Sequence, residues 1–260
     1  MRVASRWRRK GPEQRQGTMS LIDHLRELRH RLLVCVWALL GGAVVGFLLY
    51  EPAMELIQQP YCDFLRDHPD KNPFPEQGCS LVFLGAIDGF LITVKVILFL
   101  ALVVALPVIL YQLWAFIVPG LSKRERRMAI PFVLSAVLLF ALGALFAYWS
   151  LPRALTFLLG FAGDQFTPVL AGDRFISFVM IVALTFGLAF EFPVALVFLI
   201  VAGVISTDQL RGWRRGAILF IAVFAAVITP SSDPFTMLAM TIPMVLFYEA
   251  AIIVGRLMKR

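Results

Sequence analysis

Six long apolar runs divide this chain, at 32–50, 90–117, 128–151, 175–201, 216–229 and 235–254, and nearly all the charge lies between them. Five have at least the roughly 17 residues needed to cross a bilayer core as a helix. A soluble fold has no use for such runs, and 60% apolar against 16% charged residues exceeds the usual half-apolar soluble composition. A membrane β-barrel would need alternating segments of about ten residues, and these are continuous blocks. The reading is an all-α, polytopic membrane protein with six transmembrane helices. The fifth run has too few residues for a full crossing; it would need a thinned bilayer or flanking residues.

The net charge of +7 belongs to topology rather than to nucleic acid. Nineteen Lys and Arg fall in the N-terminal tail through Arg31, in the loops with Lys123–Arg127 and Arg211–Arg215, and at the C-terminus. The opposite side has only Arg66, Lys71, Arg153 and Arg174. This asymmetry places both termini in the cytoplasm, as an even number of spans requires. The first apolar run is longer than a signal-peptide core and lacks a small-x-small cleavage site, so it reads as a retained span. Residues 1–18 form a basic tail expected to be disordered, and 19–258 a single membrane domain.

The segment SLIDHLRELRHRLL (20–33) repeats leucine every three or four residues and predicts an interfacial helix that Ser20 caps, running into the first span. The first outside loop, 51–89, is the longest, and its HPDKNPFPEQG stretch predicts irregular turns. Cys62 and Cys79 both lie there; outside the cytoplasm they would form a disulfide or remain two thiols. Pro107, Pro131, Pro193 and Pro243 predict kinked helices, and Gly41, Gly42 and Gly46 a close-packing face.

Enzyme chemistry finds little support. His24, His30 and His68 all lie outside the spans, and neither H-E-x-x-H nor G-x-x-x-x-G-K-[ST] occurs. No catalytic residue, metal or cofactor is expected, and transport would draw its energy from elsewhere. Three carboxylates raise sharper questions. Glu27 is an ion pair with Arg31 or a ligand for a cation; Glu125, alone in the basic LSKRERR (121–127), is neutralised locally by Lys123, Arg124 and Arg126 or binds a cation from a partner. Glu191 lies mid-span in LAFEFPVAL, where an ionised acid costs about 2.5–3.5 kcal/mol, so it must be neutral, paired or facing a polar cavity. Glu249 is close enough to the cytoplasmic end of the sixth span to snorkel, and Lys95 and Asp233 lie toward the outer ends of theirs.

Five stretches, in this order and spacing, resemble the TatC family of the twin-arginine protein translocase: HLRELRHRL (24–32), LPVILYQLWAFIVPGLSKRERR (106–127), FGLAFEFPVAL (186–196), ITPSSDPFTML (228–238) and PMVLFYE (243–249). The two cysteines in a longer outside loop resemble the actinobacterial branch more loosely. The resemblance implies a cupped six-helix fold in a bacterial inner membrane. It implies a receptor for folded cargo whose signal peptides carry two arginines, bound at Glu27 and Glu125 with Arg29 and Phe116 nearby. It implies TatB-like and TatA-like single-span partners, self-association and transport driven by the proton-motive force. Glu191, Asp233 and Glu249 become candidate intramembrane or partner sites, and Pro60 and Pro107 structural positions. The competing reading is an ion-coupled solute transporter with Glu191 as its proton site.

Overall fold

The structure is a computed structural model and describes residues 21–117, 129–160, 169–229 and 233–258. The tail, the Ser20 cap and the LSKRERR loop with Glu125 therefore lie outside the described residues. The described chain is helical: α1 (Leu21–Leu48), α2 (Tyr50–Asp67), α3 (Asp88–Ile117), α4 (Ala129–Gly160), α5 (Gly172–Phe190), α6 (Phe192–Val201), α7 (Thr207–Gly212), α8 (Arg214–Ile228) and α9 (Pro234–Met258). In lipid a helix satisfies its own backbone, and α3 and α4 are apolar over nearly their whole length.

Among the described residues five stretches are long and apolar enough to cross a membrane: His24–Leu48, Asp88–Phe116, Ile130–Gly160, Gly172–Val201 and Pro234–Leu257. The run expected as the fifth span is α8, whose 15 residues rise only about 22 Å against a hydrocarbon core of about 30 Å. The amphipathic segment at 20–33 is not a separate element; its described part is continuous with the first span in α1. Proline has uneven effects. Pro107 and Pro243 lie inside continuous helices, and Pro131 sits in the first turn of α4, where its missing N–H costs nothing. The fourth apolar run is interrupted at Glu191, two residues before Pro193.

Small residues set the helix order. A Cβ on Gly42 would stand 2.6 Å from the Ala101 carbonyl oxygen, and one on Gly46 2.8 Å from that of Ile97, so α1 and α3 are in backbone contact. The α4–α5 contact is reciprocal: Gly143 admits the Phe186 backbone, and Gly187 admits the Phe140 ring. Before the break α5 packs on α4; beyond it α6 packs on α9, where Gly255 receives Ile200.

The first long loop is more ordered than its composition suggests. It opens with α2, an amphipathic helix that buries Ile57, Tyr61, Phe64 and Leu65 and sets Tyr61 against Phe175 with ring centroids 5.6 Å apart. Burial pushes the Tyr61 hydroxyl above the usual tyrosine range. Two short 3₁₀ turns follow within the turn-rich stretch. A Cys62–Cys79 disulfide ties α2 to that loop, and Gly172 N–H donates to the Val82 carbonyl at 2.9 Å, joining the loop to the start of α5. Beneath it Lys95 of α3 bonds Asp173 and, at 3.1 Å, the Ser177 hydroxyl of α5.

Candidate functional site

At the end bearing the basic loops, the start of α1 meets the end of α3. The Arg31 Nε and Nη2 donate to Glu27 Oε1 at 3.1 and 2.5 Å, and Nη1 donates to Gln112 Oε1 at 3.1 Å. One turn earlier His24 stacks on Phe116, with centroids 4.6 Å apart. Helical spacing explains the assembly: residues 24, 27 and 31 fall on one face of α1, and 112 and 116 on one face of α3. Two residues singled out in sequence, Glu27 and Phe116, thus share a site, while Arg29 of the same helix is exposed. Glu125 lies outside the described residues. The i,i+4 ion pair is present, and it also shows that the Glu27 carboxylate accepts a guanidinium here.

Glu191, Asp233 and Glu249 are not brought together. Asp233 is a helix cap: its carboxylate accepts from the Thr236 N–H at 2.8 Å and from the Thr236 hydroxyl at 2.5 Å, at the first turn of α9. Glu249 pairs with Arg214 at 2.6 Å, fastening α9 to the start of α8, and the neighbouring Tyr248 hydroxyl donates to the Leu210 carbonyl at 2.6 Å. Ser206 and Gln209 form a capping box on α7 beside them.

Glu191 stands alone at the α5–α6 break, in the wall of a cavity of about 270 Å³ between α3, α4 and this break. Its Oε1 is buried without a hydrogen-bond partner. The same cavity holds the other orphaned buried side-chain atom among the described residues, Trp114 Nε1. Sequence reasoning missed Trp114 because a tryptophan near a span end is the ordinary interfacial anchor, and nothing local ties it to a residue 77 positions on. It also missed Gln112 as a holder of Arg31 and Asp173 as the partner of Lys95. Among the described residues no group of His, Cys, Asp and Glu could hold a metal ion.

The family model described as Sec-independent protein translocase protein (TatC) matches residues 23–243. A Sec-independent protein translocase protein TatC from Frankia casuarinae is 46% identical over 247 residues, covering 93% of this chain and 67% of that protein. The corresponding protein from Aquifex aeolicus is 40% identical over 245 residues, covering 93% of this chain and 97% of that one. A crystal structure of a twin arginine translocase receptor, TatC, in DDM superposes with a TM-score of 0.73 at 40% identity, over 89% of this chain and 99% of that one.

Proposed function

The chain belongs to the TatC family of Sec-independent protein translocase proteins, multi-pass membrane components of a protein-transport complex rather than enzymes, and we propose that it is the subunit that receives twin-arginine signal peptides. The observation that carries this reading is the Glu27–Arg31 pair, a carboxylate already holding a guanidinium where α1 meets α3. A guanidinium presents a planar fork of donors that a carboxylate accepts with directional bonds, and an ammonium does not. Glu125 supplies the second carboxylate, so two arginines find two acids. Phe116 offers a ring face for a guanidinium or an apolar side chain, and Arg29 and the basic loop repel peptides that are merely basic.

In this reading the basic end faces the cytoplasm of a bacterial cell, both termini lie there, and the membrane is the inner one. Residues 19–258 act as one membrane domain and 1–18 as a solvated basic tail. Single-span TatB-like and TatA-like subunits and further copies of the chain assemble around it. Glu191 and Glu249 lie on the surfaces they use, while Asp233 holds the start of α9, with Pro60 and Pro107 shaping the scaffold. The proton-motive force drives transport. The test is export of a folded reporter into inverted membrane vesicles containing this chain and its partners. Uptake should require the arginine pair, fall with Glu27→Ala and Glu125→Ala, and stop when an uncoupler collapses the gradient. Uptake indifferent to both glutamates would overturn the assignment of the site.

A further inference from the structure

The short helix α8 starts well below the end of its neighbour α9. Thr207, the first residue of α7, lies against Gly255 of α9, where a Cβ would stand 3.1 Å from the Thr207 methyl carbon. From there the chain runs back along α9: the Leu210 carbonyl accepts from Tyr248 at 2.6 Å, and Arg214 pairs with Glu249 at 2.6 Å. α9 continues past Glu249 to Arg256, about two turns and about 10 Å further along its axis. The α7–α8 elbow therefore carries Arg211, Arg214 and Arg215 near the level of Glu249. All three are exposed. Arg214 is committed to Glu249, but among the described residues neither Arg211 nor Arg215 forms an ion pair. Trp213 joins the two helices with near-helical backbone, φ −87° and ψ 0°, so residues four apart stay on one face across the elbow. That spacing makes a single exposed row: Arg211, Arg215, then Leu219, Val223 and Val227, the last three 66%, 54% and 78% exposed.

We propose that this row binds one anionic phospholipid, with Arg211 and Arg215 on its phosphate and an acyl chain along Leu219, Val223 and Val227. The order of the row matches the order of the ligand, charge first and hydrocarbon after it. A guanidinium offers planar donors that fit phosphate oxygens, and basic residues at the ends of membrane helices attract anionic headgroups. A free anion would satisfy the arginines and leave the apolar part of the row without a partner. A zwitterionic lipid brings the same phosphate together with an ammonium that two arginines repel, so the site favours a headgroup of net negative charge. No side chain caps the start of α8, and a helix start adds positive potential there. Trp213, 57% exposed, places an amphipathic ring at the same level, where headgroup gives way to chain. The 15 residues of α8 rise only about 22 Å, and a headgroup held at its first turn fits the leaflet to that length. The inference stands apart from the signal-peptide reading, which rests on α1 and α3, and it holds whichever side of the membrane this end faces.

The test uses the full chain in nanodiscs of phosphatidylcholine with a minor share of phosphatidylglycerol. Leu219→Trp places a fluorescent reporter in the row, in a background with Trp7, Trp37, Trp114, Trp149 and Trp213 replaced by phenylalanine. Bromine on the acyl chains of one lipid or the other quenches the reporter, and the two quenching curves give the relative affinity at that position. Phosphatidylglycerol should be preferred about fivefold to twenty-fivefold, from about 1 kcal/mol for each of one or two basic residues at the site. Arg211→Gln with Arg215→Gln should bring the two lipids close to parity, and the paired change to lysine, which keeps the charge, should retain most of the preference. Arg256→Gln removes the same charge two turns away and should leave it intact. Native mass spectrometry of the chain with its own tryptophans should show the same loss of retained phosphatidylglycerol in the glutamine pair. Equal quenching by both lipids would overturn the proposal and leave the arginines to an acidic segment of a partner. A preference that survives the glutamine pair, or that falls as much with Arg256→Gln, would also overturn it, because the attraction would then be the diffuse charge of this end. Displacement of the brominated lipid by inorganic phosphate at constant ionic strength would overturn it in favour of a free-anion site.

Discussion

Arg31 sets both its Nε and its Nη2 on a single oxygen of Glu27, while its remaining nitrogen is held by the Gln112 carbonyl. The proposed recognition carboxylate is thus occupied by a guanidinium of the chain itself. A cargo arginine arriving at Glu27 must share the carboxylate or displace Arg31 toward Gln112. We therefore expect Arg31→Gln to tighten binding of a twin-arginine peptide about threefold to tenfold, corresponding to loss of a partly exposed pair of about 1 kcal/mol. Titration of a labelled peptide checks this. Weaker binding in the variant would mean that Arg31 orients Glu27 instead of competing for it.

The α1–α3 seam predicts a sharp contrast between neighbouring glycines. A methyl group at Gly42 would strike the Ala101 backbone at 2.6 Å, whereas one at Gly41 meets nothing within 4 Å. Gly42→Ala should destabilise the protein by about 1–3 kcal/mol, the usual cost of overpacking. Gly41→Ala should be neutral or slightly stabilising, because alanine is the better helix former. Thermal unfolding of the two variants in the same detergent distinguishes them; equal melting temperatures would contradict the backbone-contact account.

The ion pair between Lys95 and Asp173 predicts non-additivity. Replacing one partner leaves a lone charge near the end of two packed helices, whereas replacing both with apolar residues leaves none. Lys95→Met and Asp173→Leu should each cost about 1 kcal/mol, discounted for their partial exposure. The double variant should recover most of that loss. A full double-mutant cycle by chemical denaturation gives the coupling directly, and simple additivity would show the pair to be energetically inert.

The Cys62–Cys79 disulfide closes a loop with a sequence separation of 17 and anchors the α2 lid. On the chain-entropy account such a loop stabilises by roughly 3 kcal/mol. Reduction, or the paired substitution to serine, should lower the melting temperature and raise proteolysis within 68–87, while the α1–α3 site at the other end keeps its ion pair. Unchanged protease sensitivity would show that the packing of Tyr61 and Phe64 alone holds the lid.

Much of this architecture was legible in the chain because bilayer-length apolar runs are a local, one-dimensional signal. Glu27 and Phe116 could be singled out from their stretches, and Glu191 from the cost of its depth. The rest depends on convergence between distant segments. Nothing in α3 alone says that Trp114 will share a cavity with Glu191, or that Gln112 will hold Arg31. Asp233 stood out as an acid near a span, and only its bonds to Thr236 identify it as a cap. α2 was hidden because Pro60 and a high polar content masked an amphipathic helix that folds onto the core. The break at Glu191 was written in Pro193, but the same residue type passes through α3 and α9 without one.

The most direct test of the receptor assignment is equilibrium binding of a labelled twin-arginine signal peptide to the purified chain, compared with the same peptide carrying two lysines and with Glu27→Ala and Glu125→Ala. Loss of one charge-assisted contact should cost about 1.5–3 kcal/mol. The account predicts that the lysine pair and each alanine variant bind at least tenfold more weakly than the native combination. Equal binding of arginine and lysine peptides, unaffected by either substitution, would contradict it and leave Glu27 as the surface partner of Arg31 alone.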